Sequence, residues 1–363
     1  MSTPPKPPGK GRGATFNPGN RYAHEQREVF DDGWRPLEPE PDDEPPPLKT
    51  SVTIQPIRSI ISRNDSPDIG FRQSINPYQG CEHGCVYCYA RPSHAYLDLS
   101  PGLDFESRLF AKPDGPAQLR REFMNPRYQP ELIVVGGNTD AYQPIEREWK
   151  ITRQLLEVFE EFKHPIGLIT KSSLVERDID ILARLAQDNL VRVFISITTL
   201  DKTLARRMEP RAAAPNRRLE TVRNLVAAGI PVGVMTAPII PMLNDKDMEA
   251  ILEAAYEAGA RHAGYVLIRL PHELKALFKA WLHEHYPLRA GHVMSVIRQM
   301  RGGKEYEADF ATRQRGTGNF AHLIERRFEM ARRRLGFERV GVSLETRLFR
   351  RPDVTGQLSL FGN

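Results

Sequence analysis

The rhythm of hydrophobic and polar positions changes twice along this 363-residue chain. From about residue 72 to residue 270, short apolar runs alternate with longer amphipathic stretches, the signature of successive β-α units feeding a parallel sheet. The pattern predicts strands over Leu132–Gly137, Ile166–Thr170, Val191–Ile197, Pro231–Met235 and Ala263–Ile268, with a first strand just before Cys81. Between them it predicts helices over Arg147–Phe162, Ile179–Gln187, Leu219–Ala228 and Lys246–Ala258. Two of these helices run into Gly229 and Gly259, where a left-handed residue is expected to end them. Polar groups cluster where three strands stop: Gly136-Gly137-Asn138-Thr139-Asp140, Thr170-Lys171 and Ser196-Ile197-Thr198-Thr199. In parallel α/β architectures such ends face one mouth. Each is also an ordinary turn former.

The flanks read differently. Residues 1–50 hold eleven of the thirty prolines and a crowd of charges, a composition that cannot bury enough apolar surface to fold alone. They are expected to form a disordered tail, with Phe30, Trp34 and Leu37 as anchors that can pin it to the body. The expected domain plan is this tail, a body over 51–270, a basic and mainly helical region over 271–351, and a flexible end over 352–363. Within the basic region, Phe320, Leu323, Ile324, Phe328, Ala331 and Leu335 recur at helical spacing, leaving Arg326, Arg327 and Arg332 to Arg334 off that stripe.

Charge sharpens this division. The net +5 combines −2 over residues 1–50 (seven Lys/Arg, nine Asp/Glu) with +8 over 289–351 (fifteen against seven). A local arginine surplus is the footprint of a nucleic-acid partner, or else an ordinary solvated face. No apolar run approaches the length that spans a bilayer, so no membrane partner is expected. A composition 40% hydrophobic over this length suits a cytoplasmic globular enzyme.

Chemistry concentrates in one place. The three cysteines all fall within Cys81-Glu-His-Gly-Cys85-Val-Tyr-Cys88. A 4Fe–4S cluster normally takes four thiolates, so three in one loop leave an iron open for chemistry. An odd count and a chain of this size argue against a disulfide framework. The alternative is zinc with His83 or His94 as fourth ligand, although structural zinc sites usually add a second ligand pair at a distance, which is missing here.

The run Asn76-Pro-Tyr-Gln-Gly-Cys81-Glu-His-Gly-Cys85-Val-Tyr87-Cys88-Tyr89-Ala-Arg91, with Lys171 and Ser196 at later strand ends, resembles the spore photoproduct lyase group of the radical S-adenosylmethionine (SAM) enzymes. The likeness covers roughly residues 70–270. It implies an α/β fold built as a partial (β/α)6 TIM-like barrel, with Cys81, Cys85 and Cys88 holding a 4Fe–4S cluster. It further implies S-adenosylmethionine held by Gly137, Asn138, Thr139, Lys171 and Ser196, and an electron donor such as a flavodoxin or ferredoxin. Reduction of such a cluster cleaves the cofactor to a 5′-deoxyadenosyl radical that abstracts a hydrogen atom. Tyr87 and Tyr89 flank the last cysteine as the tyrosines of the lyase do, where they relay a hydrogen atom. The lyase also uses a further cysteine as hydrogen donor, and this chain has no fourth cysteine. Either a tyrosine donates directly, or the substrate and reaction differ.

Near the C-terminus, Gln357-Leu358-Ser359-Leu360-Phe361 sits between Gly356 and Gly362. It resembles the peptide by which bacterial polymerases and repair proteins bind the replicative sliding clamp. Leu358, Leu360 and Phe361 can anchor in an apolar groove, and Gln357 adds a directional hydrogen bond; the same three residues can instead dock on the chain's own core. The sequence thus points to a radical SAM, lyase-like enzyme acting on DNA in repair or base modification, recruited by the clamp. The alternatives are modification of RNA or protein, or a clamp-associated iron–sulfur or zinc adaptor without turnover.

Overall fold

Six strands pair side by side in the order in which the chain makes them. They are β3 (Gln73–Ile75), β6 (Ile133–Val135), β7 (Ile166–Thr170), β8 (Val191–Ser196), β9 (Val232–Ile239) and β10 (His262–Leu267), all parallel, and β2 (Ile61–Arg63) adds an antiparallel edge beside β3. This is the computed structural model of the chain, and it describes residues 11–22, 48–338 and 343–352. Ile75, Val135, Leu168, Val193 and Val232 stand in register across five strands, and all are buried. Near-continuous apolar strands of this kind are what a sheet covered on both faces requires. The sheet is open, with β2 and β10 at its edges, as a partial (β/α)6 barrel demands.

The expected strands are all present, with β7 at its expected limits and β9 running on to Ile239. Helices Ile179–Gln187, Pro215–Ala227 and Met248–Glu257 lie where the periodicity puts them. Gly229 and Gly259 take φ of +76° and +102°, the left-handed ends expected of them. The continuous helix expected over 147–162 is instead broken. Glu146–Trp149 ends at Lys150, whose φ is +51°, and a second helix runs from Ile151 to Glu161. The buried carboxylate of Glu146 reaches across the break, accepting from Thr152 N at 3.1 Å and Arg153 N at 3.4 Å, so it satisfies the first free donors of the second helix.

A second sheet has no counterpart in the sequence reading. β1 (Ser51–Ile54), β5 (Arg108–Ala111) and β4 (Tyr78–Gln79) pair in the order β1-β5-β4 and support the segment that leads into Cys81. The basic region contributes helices Leu274–His285, Pro287–Gln299 and Gly318–Leu335. On the last helix the expected apolar stripe needs two corrections. Leu323 is exposed, and Arg332 is buried, bonded to Glu329 and to Phe337 O.

The expected tail also behaves unevenly. Residues 11–22 form a strap against the body, with Ala14 and Thr15 buried and Arg21 paired to Glu273 at 2.8 Å. The remainder of the tail up to Pro47, with Phe30, Trp34 and Leu37, and the peptide Gln357, Leu358, Leu360 and Phe361 lie outside the described residues.

Candidate active site

The cysteine loop is braced on its inner side by a buried ion pair. Arg91 Nε donates to Cys85 O at 2.8 Å, its NH1 to Gly102 O at 2.9 Å, and its NH2 to the Glu106 carboxylate. Both side chains are fully buried, so the pair depends on further hydrogen bonds to offset its desolvation. Glu106 completes its set by accepting from Gly13 N at 3.0 Å and Ala14 N at 2.8 Å, which draws the strap onto the loop. Gly84, at φ +67°, leaves room for this: a Cβ there would stand 2.8 Å from Glu106 Oε2. Gln143 grips the same loop, donating to Gly80 O at 3.1 Å and accepting from Glu82 N at 2.9 Å.

Cys81 and Cys85 are buried within this frame and Cys88 is half-buried. Burial pushes the Cys81 thiol well up and the Cys85 thiol up to about 12, the latter against the pull of Lys171. Without a metal group these thiols stay neutral; a positively charged cluster supplies the charge that makes them thiolates. Among the described residues, no three His, Cys, Asp or Glu side chains converge closely enough for a single ion. His83 Nδ1 lies 3.3 Å from Asp140 and His94 Nε2 2.9 Å from Arg108 O, and neither is grouped with the thiols around a single ion. Three thiols in one loop, with no histidine converging on them among the described residues, fit an iron–sulfur group better than one zinc ion.

The residues expected to contact S-adenosylmethionine lie at the C-terminal ends of β6, β7 and β8. After β6, Asn138 N and Thr139 N both donate to Asn76 Oδ1, at 2.8 and 3.3 Å, and Thr139 Oγ1 donates to Tyr78 O at 3.0 Å. Gly136 turns the chain at φ +89°, where a Cβ would strike Ile169 O at 2.6 Å. Gly137 O accepts from the hydroxyl of Tyr89. Asp140 ties β6 to β7, accepting from Thr170 Oγ1 and from Lys171 N, both at 2.7 Å. Burial works to raise its carboxyl, but His83 and these donors hold it well below the usual carboxylate range. Lys171 Nζ stands 5.8 Å from the Tyr87 ring centroid. Burial opposes its charge, yet Cys85 and Glu209 outweigh that and hold the ammonium above its ordinary value.

Behind Tyr87 lies a carboxylate that the sequence reading missed. Glu209, buried just after helix Lys202–Met208, accepts from Tyr87 Oη, Thr198 Oγ1 and Arg218 NH2. Arg218 also donates to Ser196 O at 2.9 Å, which links the end of β8 to the cysteine loop. Burial raises Glu209, but Arg218 and Lys171 overcome it and bring its carboxyl down to about 2. Tyr87, pushed up by burial, Cys85 and Glu209, keeps its proton and donates it to that carboxylate. The two tyrosines are therefore unlike: Tyr87 is sealed in, and Tyr89 is 48% exposed. Nothing local marks Glu209 in the sequence, because its partner Tyr87 is 122 residues away.

The comparisons with known proteins agree with this geometry. The model of the radical SAM superfamily matches residues 75–255. An uncharacterized protein of Mycobacterium tuberculosis is 33% identical over 246 residues, spanning 66% of this chain and 72% of that one. An uncharacterized protein of Methanocaldococcus jannaschii is 25% identical over 240 residues, spanning 66% and 86%. Among solved structures, a spore photoproduct lyase variant with bound AdoMet and dinucleoside spore photoproduct superposes with a TM-score of 0.51 at 16% identity, covering 78% of each chain. The lyase complexed with dinucleoside spore photoproduct gives 0.50, with the same identity and coverage. The chain belongs to the radical SAM superfamily and is a radical SAM enzyme with the fold of spore photoproduct lyase. Membership in that family implies S-adenosylmethionine and a 4Fe–4S cluster. No helix among the described residues is long and apolar enough to cross a membrane.

Proposed function

We propose that this enzyme acts on DNA, in repair or modification of a base, and that a sliding clamp recruits it through Gln357, Leu358, Leu360 and Phe361. The observation that carries the reading is the half-exposed Tyr89, placed beside Cys88 at the mouth with its hydroxyl on Gly137 O. Support for DNA comes from the neighbouring structures, whose bound molecule is a dinucleoside photoproduct. The cluster would be held by Cys81, Cys85 and Cys88, and when bound it supplies one-electron cleavage of S-adenosylmethionine. Thr139, Lys171 and Ser196 would orient that molecule, with the Lys171 ammonium meeting its carboxylate. A flavodoxin or ferredoxin would supply the electron. Tyr89, open to the mouth, would give its hydroxyl hydrogen atom to a substrate radical, leaving a tyrosyl radical that one electron from the same donor and one proton would restore, and Tyr87 would keep its proton on Glu209.

The test is anaerobic reconstitution with iron and sulfide, reduction, and chromatography for 5′-deoxyadenosine with and without damaged duplex DNA. Wild-type protein is expected to form it and to be stimulated by the DNA. Cys85→Ala is expected to lose both the cluster and the cleavage. Tyr89→Phe is expected to keep the cleavage and lose at least about tenfold in substrate turnover. Cleavage that DNA leaves unchanged, while an RNA or protein substrate raises it, would move the activity to that class. An intact cluster that never cleaves the cofactor would leave an adaptor.

A further inference from the structure

The mouth carries a positive charge that the protein itself does not neutralise. Arg269 follows the end of β10, two residues past Leu267, and its guanidinium lies 5.5 Å from the centroid of the Tyr89 ring. Its Nε is buried with no hydrogen-bond partner, and among the described residues it forms no ion pair. Arg301 stands behind it. Arg269 is half-buried, whereas Arg301 is buried and spends its donors on carbonyls, Nη2 on Ile268 O at 2.8 Å and Nη1 on Thr312 O at 3.0 Å, leaving Nε unpartnered. Burial and the charge of Arg269 push Arg301 down to about 10, against the opposing pull of Tyr306 and Glu307. Two other buried arginines meet carboxylates, Arg91 with Glu106 and Arg218 with Glu209, while buried Arg12 is met by Glu106 O, Leu48 O and Thr50 Oγ1. A guanidinium such as that of Arg269, with an unused buried donor and no ion pair among the described residues, is costly unless an anion completes it.

We propose that Arg269, positioned by Arg301, binds a backbone phosphate of the nucleic acid and thereby sets the nucleotide to be altered against Tyr89. This rests on the reading of the enzyme as acting on DNA. A guanidinium offers a planar fork of donors that matches two phosphate oxygens, and it gains most where water is excluded. The contact would carry no base preference, so it would place the strand rather than read it. Stacked over Tyr89, the same fork would fix how far the bound sugar and base reach toward the loop that holds Cys88.

The experiment measures fluorescence anisotropy of a labelled DNA duplex with the reconstituted full chain across a potassium chloride series, with S-adenosylmethionine affinity measured in parallel by calorimetry. Arg269→Gln is expected to weaken DNA binding about tenfold and to lower the magnitude of the salt slope by about one. Arg269→Lys is expected to restore the slope. Arg313→Gln, whose guanidinium is already held by Asp68 at 2.6 Å, is expected to leave the slope unchanged. S-adenosylmethionine affinity should be the same in wild type and Arg269→Gln. DNA binding by Arg269→Gln with unchanged affinity and slope would overturn the inference and spare the DNA reading. So would a loss of S-adenosylmethionine affinity with DNA binding intact, which would assign the arginine to that carboxylate. Failure of the wild-type chain to bind DNA at all would overturn both.

Discussion

At the scale of single residues, the site depends on carboxylates whose charge is kept by partners drawn from distant parts of the chain. Glu209 is the clearest case. Its folded value of about 2 lies below the ordinary 4.5, so its contribution to stability is complete above 4.5 and is lost as pH falls toward 2. Glu209→Gln mimics the protonated acid and strands Arg218, so it is expected to cost about 3 kcal/mol at neutral pH. The gap between wild type and Glu209→Gln in urea midpoints should then close as the solution is acidified through that interval. A gap that stays constant with pH would mean that the carboxylate is not ionised in the folded protein. The legibility of the residues follows from the same geometry. Cys81, Cys85 and Cys88 stand out because their spacing within one loop is itself the ligand pattern. Glu209, Gln143 and Glu106 do not, because what ties each of them to the cysteine loop is a contact with a residue at least 15 positions away in sequence.

At the scale of elements, periodicity revealed what burial dictates and missed what hydrogen bonding dictates. Strands such as Ile166–Thr170 are buried apolar runs, so composition alone marks them. The break at Lys150 left no trace in the apolar stripe, since a single left-handed residue and a capping carboxylate make it. The three-stranded sheet escaped notice because β4 is two residues long. The strap escaped notice because it uses backbone donors, at Gly13 and Ala14, rather than apolar side chains. That contact can be tested. A Cβ on Gly13 would stand 1.7 Å from Gly84 O, a backbone atom that cannot rotate away. Gly13→Ala is therefore expected to lift the strap at a cost of about 1–3 kcal/mol, uncovering Glu106 and the inner side of the loop. Bleaching of the reconstituted cluster in air, followed by visible absorbance, should be several times faster than in wild type. Equal rates would show that the strap plays no part in shielding the cluster.

At the scale of the whole molecule, the location of charge matters more than its sum. The arginines of helix Gly318–Leu335 looked like a nucleic-acid face in the sequence, yet Arg327 is held by Glu249 at 2.7 Å and Arg332 by Glu329 at 2.9 Å. Charges already paired release fewer counterions on binding DNA, so these two arginines are weak candidates for affinity. At the mouth, Arg269 forms no ion pair among the described residues and leaves a buried donor unused. A site that grips one phosphate and reads no bases gains little occupancy by itself, and a tether offers a remedy: holding the enzyme on clamp-loaded DNA raises its effective concentration without any new contact at the site. Removing Gln357 to Asn363 is accordingly expected to leave the cluster, basal cofactor cleavage and affinity for free duplex unchanged. The same truncation should abolish clamp binding and reduce association with clamp-loaded DNA on the order of a hundredfold. Surface-immobilised clamp, with and without DNA, measures both quantities. Clamp binding that survives the truncation would place the recruiting surface on the folded body, and Leu358, Leu360 and Phe361 would then be packing residues.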